Sequence, residues 1–163
     1  MHDTSDPPGG SHAFSQHPDR AGELDRLQRQ VLAVWPMEEP WLKSRGLTDG
    51  MHVLDVGCGP GFVSAKLARL TPTGATSGLE PDPELARLAG KRIDANPGLS
   101  LHQGSLAHNH LPESFFDFVY ARFVLQHLAS PQDEMRHLFR LLKPGGLVVL
   151  ADADDGLTLV HPE

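Results

Sequence analysis

Five short apolar runs alternate with segments of helical periodicity along most of the chain. Each run predicts a buried strand, because a parallel strand covered on both faces is almost continuously apolar. The runs lie at 53–56, 75–79, 99–103, 115–121 and 147–151. Apolar residues recur every three or four positions at 62–70, after Asp82 and after Ser130, as in amphipathic helices. Strands alternating with helices predict an α/β fold with a doubly wound, mainly parallel sheet.

The chain before the first strand divides into two parts. Residues 1–20 are rich in Pro, Gly, Ser, Asp and His and predict a disordered tail. Residues 21–48 have apolar positions at helical spacing and predict two helices. The first should end at Trp35, because Pro36 follows and restricts the backbone before it. The α/β domain then covers residues 49–163.

A glycine-rich turn follows the first predicted strand. Gly57, Gly59 and Gly61 lie within five residues. Glycine lets the backbone turn sharply and lets a ligand approach main-chain N–H groups with no Cβ in the way. The next helix directs its N-terminal dipole toward the same place. In a dinucleotide-binding fingerprint, Gly-x-Gly-x-x-Gly, the third glycine would stand at position 62, whereas here it is Gly61. Cys58 is interpreted as a small residue and not as a reactive thiol.

Two carboxylates frame this turn. Asp55 stands just before the glycines, where it would repel a pyrophosphate and attract a cationic amine. Glu80 follows the second strand, at the place where doubly wound folds hydrogen-bond a ribose diol. Its two oxygens match two neighbouring hydroxyls. The alternative is that Glu80 is a solvated strand end, but its spacing from the glycines favours ribose binding.

The segment from Asp55 to Gly61 resembles the first motif of class I S-adenosylmethionine-dependent methyltransferases, typically Asp/Glu-x-Gly-x-Gly-x-Gly. The resemblance extends over residues 50–156. A later stretch, Phe-Asp-x-Val followed by Ala-Arg-x-Val-Leu-Gln-His-Leu, is similar to the fourth motif of small-molecule methyltransferases. The Asn/Asp-Pro-Pro-aromatic tetrad of enzymes that methylate nucleic-acid bases is missing. The resemblance therefore implies a Rossmann-like, small-molecule methyltransferase with S-adenosyl-L-methionine as cofactor and S-adenosyl-L-homocysteine as product.

The resemblance also implies a set of cofactor-binding residues. They are Asp55, Gly57, Cys58, Gly59, Gly61, Glu80, Pro81, Gly104, Ser105, Leu106, Arg122 and Phe123. Ser105 replaces the acidic residue that usually accepts a hydrogen bond from adenine, so the main-chain N–H of Leu106 is an alternative contact. Arg122 pairs either with the cofactor carboxylate or with a neighbouring acid. Phe14 is either a lid residue that orders on cofactor binding or part of a frayed tail.

Methyl transfer from a sulfonium requires positioning and exclusion of water more than a dedicated nucleophile. His127 and Asp152 are therefore only weak candidates for catalytic residues. For His127, a place in the pocket wall or a structural role is favoured over a general base. His108 and His110 alternate on a polar loop, and His102 is close to them in the sequence. This His-x-His pattern lacks a third ligand at a definite spacing, so no metal site is predicted.

Composition narrows the class of protein and its partners. The 163 residues are 39% hydrophobic and 21% charged, which fits one domain with a core. The sequence has no membrane-spanning run and no signal-peptide layout, and its single cysteine excludes an internal disulfide. These features predict a cytoplasmic protein. The net charge of −7 argues against nucleic acid and leaves a small-molecule methyl acceptor as the expected partner.

The fifth predicted strand lies at the edge of the predicted sheet and needs a cover. Sheets of similar methyltransferases normally continue with two further strands, which are not found before Glu163. The fifth strand would then be an exposed apolar edge, which is a pairing and aggregation hazard. We expect either a second copy of the chain, as a homodimer, or a missing C-terminal segment to cover it.

Three other functions fit parts of the pattern. An NAD-dependent oxidoreductase is disfavoured by the displaced glycine and by Asp55. An aminopropyltransferase shares the fold but needs acidic polyamine-binding residues that cannot be assigned. A cofactor-binding module without catalysis is the main alternative, because of Ser105 and the early end of the sheet.

Overall fold

The computed structural model describes Phe14 and residues 17–93, 95–128 and 130–152. Residues 1–13 of the predicted tail and residues 153–163 of the predicted domain lie outside this part of the chain. The described helices are α1 (Arg20–Ser44), α2 (Phe62–Leu70), α3 (Pro83–Gly90), a short 3-10 helix (Leu125–His127) and α4 (Pro131–Leu141). The described strands are β1 (His52–Val56), β2 (Ala75–Glu80), β3 (Leu99–Gln103), β4 (Phe116–Arg122) and β5 (Leu142–Ala151).

The five strands form one parallel sheet in the order β3-β2-β1-β4-β5. Val53 of β1 pairs with Thr76 of β2 on one side and with Phe118 of β4 on the other. The connections therefore leave β1 in opposite directions, which creates a topological switch point at the carboxyl ends of β1 and β4. The predicted doubly wound α/β architecture is confirmed.

The core covers both faces of the sheet. Leu54 and Val119 pack with Leu138 of α4 on one face. Val53 and Phe118 pack with the buried residues of α1 and α2 on the other face. Successive residues of β1 and β4 point to opposite faces, so these central strands are apolar at nearly every position.

Helix α1 runs without a break through Pro36 and Pro40, so the predicted end at Trp35 is wrong. Trp35 is 6% exposed and Leu42 is fully buried, which anchors the helix on both sides of the prolines. Trp35 Nε1 also donates a hydrogen bond to Glu39 Oε2 at 3.0 Å. Burial against the sheet thus outweighs the local cost of two interior prolines.

The end of the sheet also differs from the sequence prediction. The helical spacing of apolar residues after Ser130 predicts that Phe139 lies in the buried stripe of α4, but this side chain is 62% exposed, whereas Leu141 is buried. β5 begins at Leu142 and not at 147, because Leu142 pairs with Phe116 before the register shifts. Residues 143–146 form the irregularity, with Gly145 at a φ of 82°. The sequence Lys143-Pro144-Gly145-Gly146 predicts a tight turn before the strand, and in the structure these residues interrupt the pairing within β5.

None of the helices in the described part of the chain has an apolar stretch that is long enough to cross a lipid bilayer.

Candidate functional site

A cavity of about 930 Å³ opens at the switch point. Its size is typical of small-molecule sites, and doubly wound folds bind ligands at this place. Most of the predicted site residues line it: Asp55, Gly57, Cys58, Gly59, Glu80, Pro81, Gly104, Ser105, Leu106, Arg122, Phe123 and His127. The sheet therefore brings together residues that are up to 72 positions apart, from the ends of its strands. Gly61 and Asp152 are not part of the lining.

The main-chain amides of the glycine loop are already paired within the protein. Gly57 and Cys58 both donate to Leu79 O, at 2.8 and 3.1 Å. Gly59 donates to Glu80 Oε2 at 2.7 Å. These three N–H groups are therefore hydrogen-bonded within the protein. The loop contributes shape instead, since Gly57 and Gly59 have φ angles of 64° and 55° that other residues rarely adopt.

Gly61 was predicted to bind the cofactor, but the structure gives it a different place. It is the residue before α2, with a φ of 78°. Its N–H donates to Cys58 O at 3.0 Å. A Cβ on Gly61 would lie 3.0 Å from Ala89 Cβ, so this glycine allows α2 and α3 to approach closely.

Glu80 is held rigidly at the end of β2. Its side chain accepts the N–H of Gly59 on Oε2 and the N–H of Asp82 on Oε1, at 2.7 and 2.9 Å. The residue is 6% exposed, so the alternative of a solvated strand end is wrong. Burial raises the pKa of Glu80, and the two N–H donors oppose that rise. Each carboxylate oxygen keeps acceptor capacity beyond its one protein donor.

Asp55 lies deeper in the same cavity and is 2% exposed. Ser64 Oγ donates to Asp55 Oδ2 at 2.5 Å. Burial raises the pKa of Asp55 to about 7, and the nearby Glu80 carboxylate adds to the rise while Ser64 opposes it. A cation placed beside Asp55 would favour its ionised form and lower this pKa again.

Arg122 pairs with a carboxylate of the protein, which is one of the two alternatives that the sequence left open. Its Nε donates to Glu38 Oε1 at 2.6 Å, and the two side chains are only 8% and 12% exposed. Arg122 Nη2 and Glu38 Oε2 are buried and have no hydrogen-bond partner among the described residues. Arg122 itself lines the cavity.

Phe123 follows Arg122 in a strained conformation. Its φ is 57°, which is rare for a residue with a bulky side chain. The Arg122 guanidinium lies 4.6 Å from the centre of the Phe123 ring. The N–H of Phe123 donates to Ala151 O at 2.7 Å, which ties this turn to β5. The strained turn directs the chain from the end of β4 along the wall of the cavity.

The loop after β3 closes on itself through Ser105. Its Oγ accepts the N–H of His108 at 3.1 Å, and its own N–H donates to His108 O at 3.0 Å. The N–H of Gly104 donates to Glu80 O at 3.0 Å. The serine therefore shapes the loop, and one of its acceptor positions is already in use. Leu106 is 5% exposed and contributes an apolar wall.

Cys58 is an unreactive part of the wall. It is 7% exposed, and burial raises the pKa of its thiol so that the thiolate is disfavoured. This supports the interpretation of Cys58 as a small residue.

The two weak catalytic candidates lie in different places. His127 ends the short 3-10 helix and lines the exposed rim of the cavity. Asp152 follows β5 and does not line the cavity. His102 lies on β3, where its ring is 3.3 Å from Ser100 Oγ and burial lowers its pKa. The described residues contain no group of three His, Cys, Asp or Glu side chains suited to a metal ion.

The sequence left the role of several lining residues open or did not indicate it. Phe14 is 8% exposed, and its N–H donates to Asp82 Oδ2 at 3.0 Å, so the frayed-tail alternative is wrong for this residue. In similar methyltransferases a leading helix caps the cofactor pocket, but for any single residue of such a helix the sequence favours simple packing on the sheet. Gln30 and Arg26 of α1 nevertheless line the cavity. Glu134 of α4 also lines it, and its Oε2 is buried without a partner among the described residues. Helical periodicity predicted α4 but cannot show which polar residue of a helix faces a cavity.

Comparison with known proteins places the chain in a family. A family model described as a methyltransferase domain matches residues 54–150. The chain belongs to this family. The methyltransferase chain is also 25% identical to a SAM-dependent methyltransferase from Aquifex aeolicus of known structure, with a TM-score of 0.70 over 76% of this chain and 68% of that one. Its fold is the Rossmann-like fold of class I S-adenosylmethionine-dependent methyltransferases.

Two curated relatives carry more specific names. The chain is 29% identical over 133 residues to a trans-aconitate 2-methyltransferase of Rhodopseudomonas palustris, covering 82% of this chain and 46% of the relative. It is 32% identical over 114 residues to a mitochondrial ubiquinone biosynthesis O-methyltransferase of Schizosaccharomyces pombe, covering 67% of this chain and 40% of the relative. The methyltransferase chain thus spans less than half the length of these curated relatives.

Proposed function

We propose that the chain binds S-adenosylmethionine in the 930 Å³ cavity and transfers its methyl group to a small-molecule acceptor. The observation that carries this proposal is the position of Glu80. Two backbone N–H groups fix its buried carboxylate at the end of β2, and both oxygens can still accept hydrogen bonds. A ribose diol offers two neighbouring hydroxyl donors that match this arrangement.

The other polar groups of the cavity fit the rest of the cofactor. The unpartnered Nη2 of Arg122 suits a carboxylate, and the buried Asp55 suits an ammonium group. Apolar residues such as Leu106 and Pro81 suit the faces of a purine. When bound, S-adenosylmethionine supplies a methyl group already activated by the positive charge on sulfur. The protein then has to orient the two reactants and exclude water.

The acceptor would enter through the wall formed after β4 and at the start of α4. Phe123 and Val124 provide apolar surface there, whereas Gln126, His127 and Glu134 provide polar groups. This mixture suits a small molecule that is partly apolar. The relatives named for trans-aconitate and for ubiquinone biosynthesis support a small-molecule acceptor. His127 and Glu134 would position the acceptor or take its proton.

Calorimetry with S-adenosylmethionine and S-adenosylhomocysteine tests the binding step. We expect Glu80→Gln to weaken both by about tenfold, because the amide can accept only one of the two hydroxyl donors. Glu84→Gln is the matched control, since Glu84 pairs with Arg20 on the surface and lies outside the cavity lining. Unchanged affinity in Glu80→Gln would contradict ribose binding by this residue.

Methyl transfer needs a separate experiment. Isotope-labelled S-adenosylmethionine would be incubated with the chain and a pool of small metabolites, and labelled products identified by mass spectrometry. A labelled product that disappears in Glu80→Gln but not in Glu84→Gln supports the proposal. Cofactor binding without any labelled product favours the second function below.

A cofactor-binding module without catalysis is the second candidate. Ser105 favours it, because the family's usual acidic side chain is replaced by a serine whose oxygen already accepts the N–H of His108. Such a module would bind S-adenosylmethionine and S-adenosylhomocysteine with similar affinity. Binding of both ligands without any labelled product in the incubation would favour this module, because affinity for the ground state does not report on catalysis.

We also propose a partner for the edge of the sheet. β5 is the last strand of the described sheet on that side, and its Leu147 and Leu150 are 42% and 40% exposed. A second copy of the chain, or a further segment of polypeptide, would cover this apolar edge.

A further inference from the structure

A second, smaller cavity has an unusual balance of charge. Its volume is about 320 Å³, and it lies between α1, α2 and the residues that follow α3. Lys66, Arg69 and Arg92 line it, and no carboxylate does so among the described residues. We refer to the surface formed by these three cations and Asn96 as the basic groove. The whole chain carries a net charge of −7, so this local excess of positive charge runs against the overall balance.

Neutral groups hold the two arginines of the basic groove in place. Arg69 Nε donates to Asn96 Oδ1 at 3.2 Å, which leaves both Nη groups of Arg69 outside that bond. The Arg92 guanidinium lies 4.1 Å from the centre of the Phe62 ring, and its Nη1 donates to Leu88 O at 3.3 Å. These contacts fix positions without neutralising charge.

Asn96 is a buried residue that lines the basic groove and links its two arginines. It is 5% exposed, and its Nδ2 donates to Arg92 O at 2.8 Å while its Oδ1 accepts from Arg69. One buried amide therefore fixes the main chain at one arginine and the side chain of the other. Two guanidinium groups from different elements are brought to one cavity in this way.

Within the described residues, no carboxylate forms an ion pair with either arginine of the basic groove, Arg69 or Arg92. Most arginines of α1 and α4 do form one. Burial lowers the pKa of Arg92, because the charged guanidinium loses part of its hydration. Lys66 is a weaker member, because its Nζ lies 5.5 Å from the Trp35 ring and the Glu39 carboxylate acts on it electrostatically.

We propose that the basic groove binds a phosphate group carried by a small molecule. A guanidinium presents a planar pair of N–H donors that matches the oxygens of a phosphate, and the groove supplies two such groups. Its volume suits a phosphate or diphosphate with a short apolar attachment, and Leu32 and Ala65 offer apolar contact. A nucleic-acid chain is a poor fit, because the rest of this acidic protein would repel it.

This site is separate from the cofactor cavity but shares part of its wall. Val31 and Phe62 line both cavities. The proposal does not depend on S-adenosylmethionine binding, since none of the three cations lines the larger cavity. The test is nevertheless carried out with saturating S-adenosylhomocysteine, so that an anion in the larger cavity is not mistaken for one in the basic groove.

Titration calorimetry with inorganic pyrophosphate tests the proposal on the full chain. We expect saturable binding to the wild type and a loss of about tenfold in affinity for Arg69→Gln and for Arg92→Gln. Lys66→Gln should weaken binding less, because Glu39 already offsets its charge. Arg87→Gln is the matched control, since Arg87 is exposed on α3 and does not line the groove.

Magnetic resonance provides a second measurement that needs no variant. Pyrophosphate should shift the side-chain amide signal of Asn96 and the Nε–H signal of Arg69, in the presence of S-adenosylhomocysteine. Absence of saturable binding at millimolar pyrophosphate would overturn the proposal. So would equal affinity in the wild type and in the Arg69→Gln/Arg92→Gln double variant, or shifts confined to residues outside the groove.

Discussion

Gly59 and Gly61 share a backbone conformation but differ in their surroundings. Both have positive φ, so replacement by alanine costs about 1–2 kcal/mol at either position. A Cβ at Gly59 would meet nothing within 4 Å, whereas a Cβ at Gly61 would lie 3.0 Å from Ala89 Cβ and 3.2 Å from its Cα. We therefore expect Gly61→Ala to lower the free energy of unfolding by about 1 kcal/mol more than Gly59→Ala. Denaturant titration of the two variants checks this, and equal losses would show that α2 and α3 separate freely.

Asp55 should make the stability of the cofactor-free protein depend on pH. Its pKa is raised to about 7, so the folded state holds a proton that the unfolded state releases near pH 4. The stability that this proton gives is fully present below pH 4 and is lost as the pH rises to 7. Glu80, Glu38 and Arg122 also act on this carboxyl group, but burial dominates.

Asp55→Asn removes this titration. We expect the free energy of unfolding of the variant, relative to the wild type, to be higher at pH 8 than at pH 5 by about 2–3 kcal/mol. Asp25→Asn is the control, because Asp25 is an exposed partner of Arg29. Denaturant titrations at the two pH values measure the difference. A pH-independent difference would show that Asp55 is ionised throughout this range.

At the scale of single residues, the sequence predicted which positions meet in the cavity better than what they do there. Glu80 was placed correctly because its distance from the glycines follows from the length of one βαβ unit. The pairing of the loop amides with Leu79 O and Glu80 was not predicted, because it depends on the register between β1 and β2. The Glu38–Arg122 pair joins residues 84 positions apart, and no local pattern indicates it.

Helix α1 shows how an element survives an unfavourable sequence. Pro36 lies in its interior and is exposed, so the bond that an N–H would donate one turn back is lost. Pro36→Ala restores that donor, although it also raises the entropy of the unfolded chain. We expect the free energy of unfolding to rise by about 1–2 kcal/mol.

Thermal and denaturant unfolding of Pro36→Ala measure this change. Pro97→Ala is the matched control, because Pro97 lies in an exposed turn, and its replacement should leave stability unchanged or slightly lower. A loss of stability in Pro36→Ala would show that α1 needs the bend that proline imposes in order to reach both Trp35 and Leu42.

At the scale of elements, the strands were predicted well and the ends of α1, α4 and β5 were not. Central strands are apolar at nearly every position, so their sequence alone reveals them. The continuity of α1 depends on the burial of Trp35 and Leu42 against distant parts of the chain. The early start of β5 depends on a bulge opposite Phe116, which is a property of the pair of strands and not of one segment.

At the scale of the whole molecule, the parallel sheet explains why one end carries the site. All five strands run the same way, so every loop that follows a strand lies at the same end of the sheet as the cavity. The same arrangement leaves the outer strand with an unpaired edge among the described residues. β5 is only partly buried, with Leu147 and Leu150 exposed, and within the described part of the chain it is paired on only one side.

The unpaired side of β5 predicts self-association of the chain. Leu150 is 40% exposed on this strand, and a charge at an edge position opposes pairing of strands from two molecules. We expect light scattering after size-exclusion chromatography to show a concentration-dependent dimer for the wild type and a monomer for Leu150→Lys. Ile93→Lys is the control, because Ile93 is 38% exposed just after α3, which packs against β2 and β3 on the opposite side of the sheet, so this variant should still dimerise. A wild-type monomer at every concentration would exclude a second copy as the cover of β5.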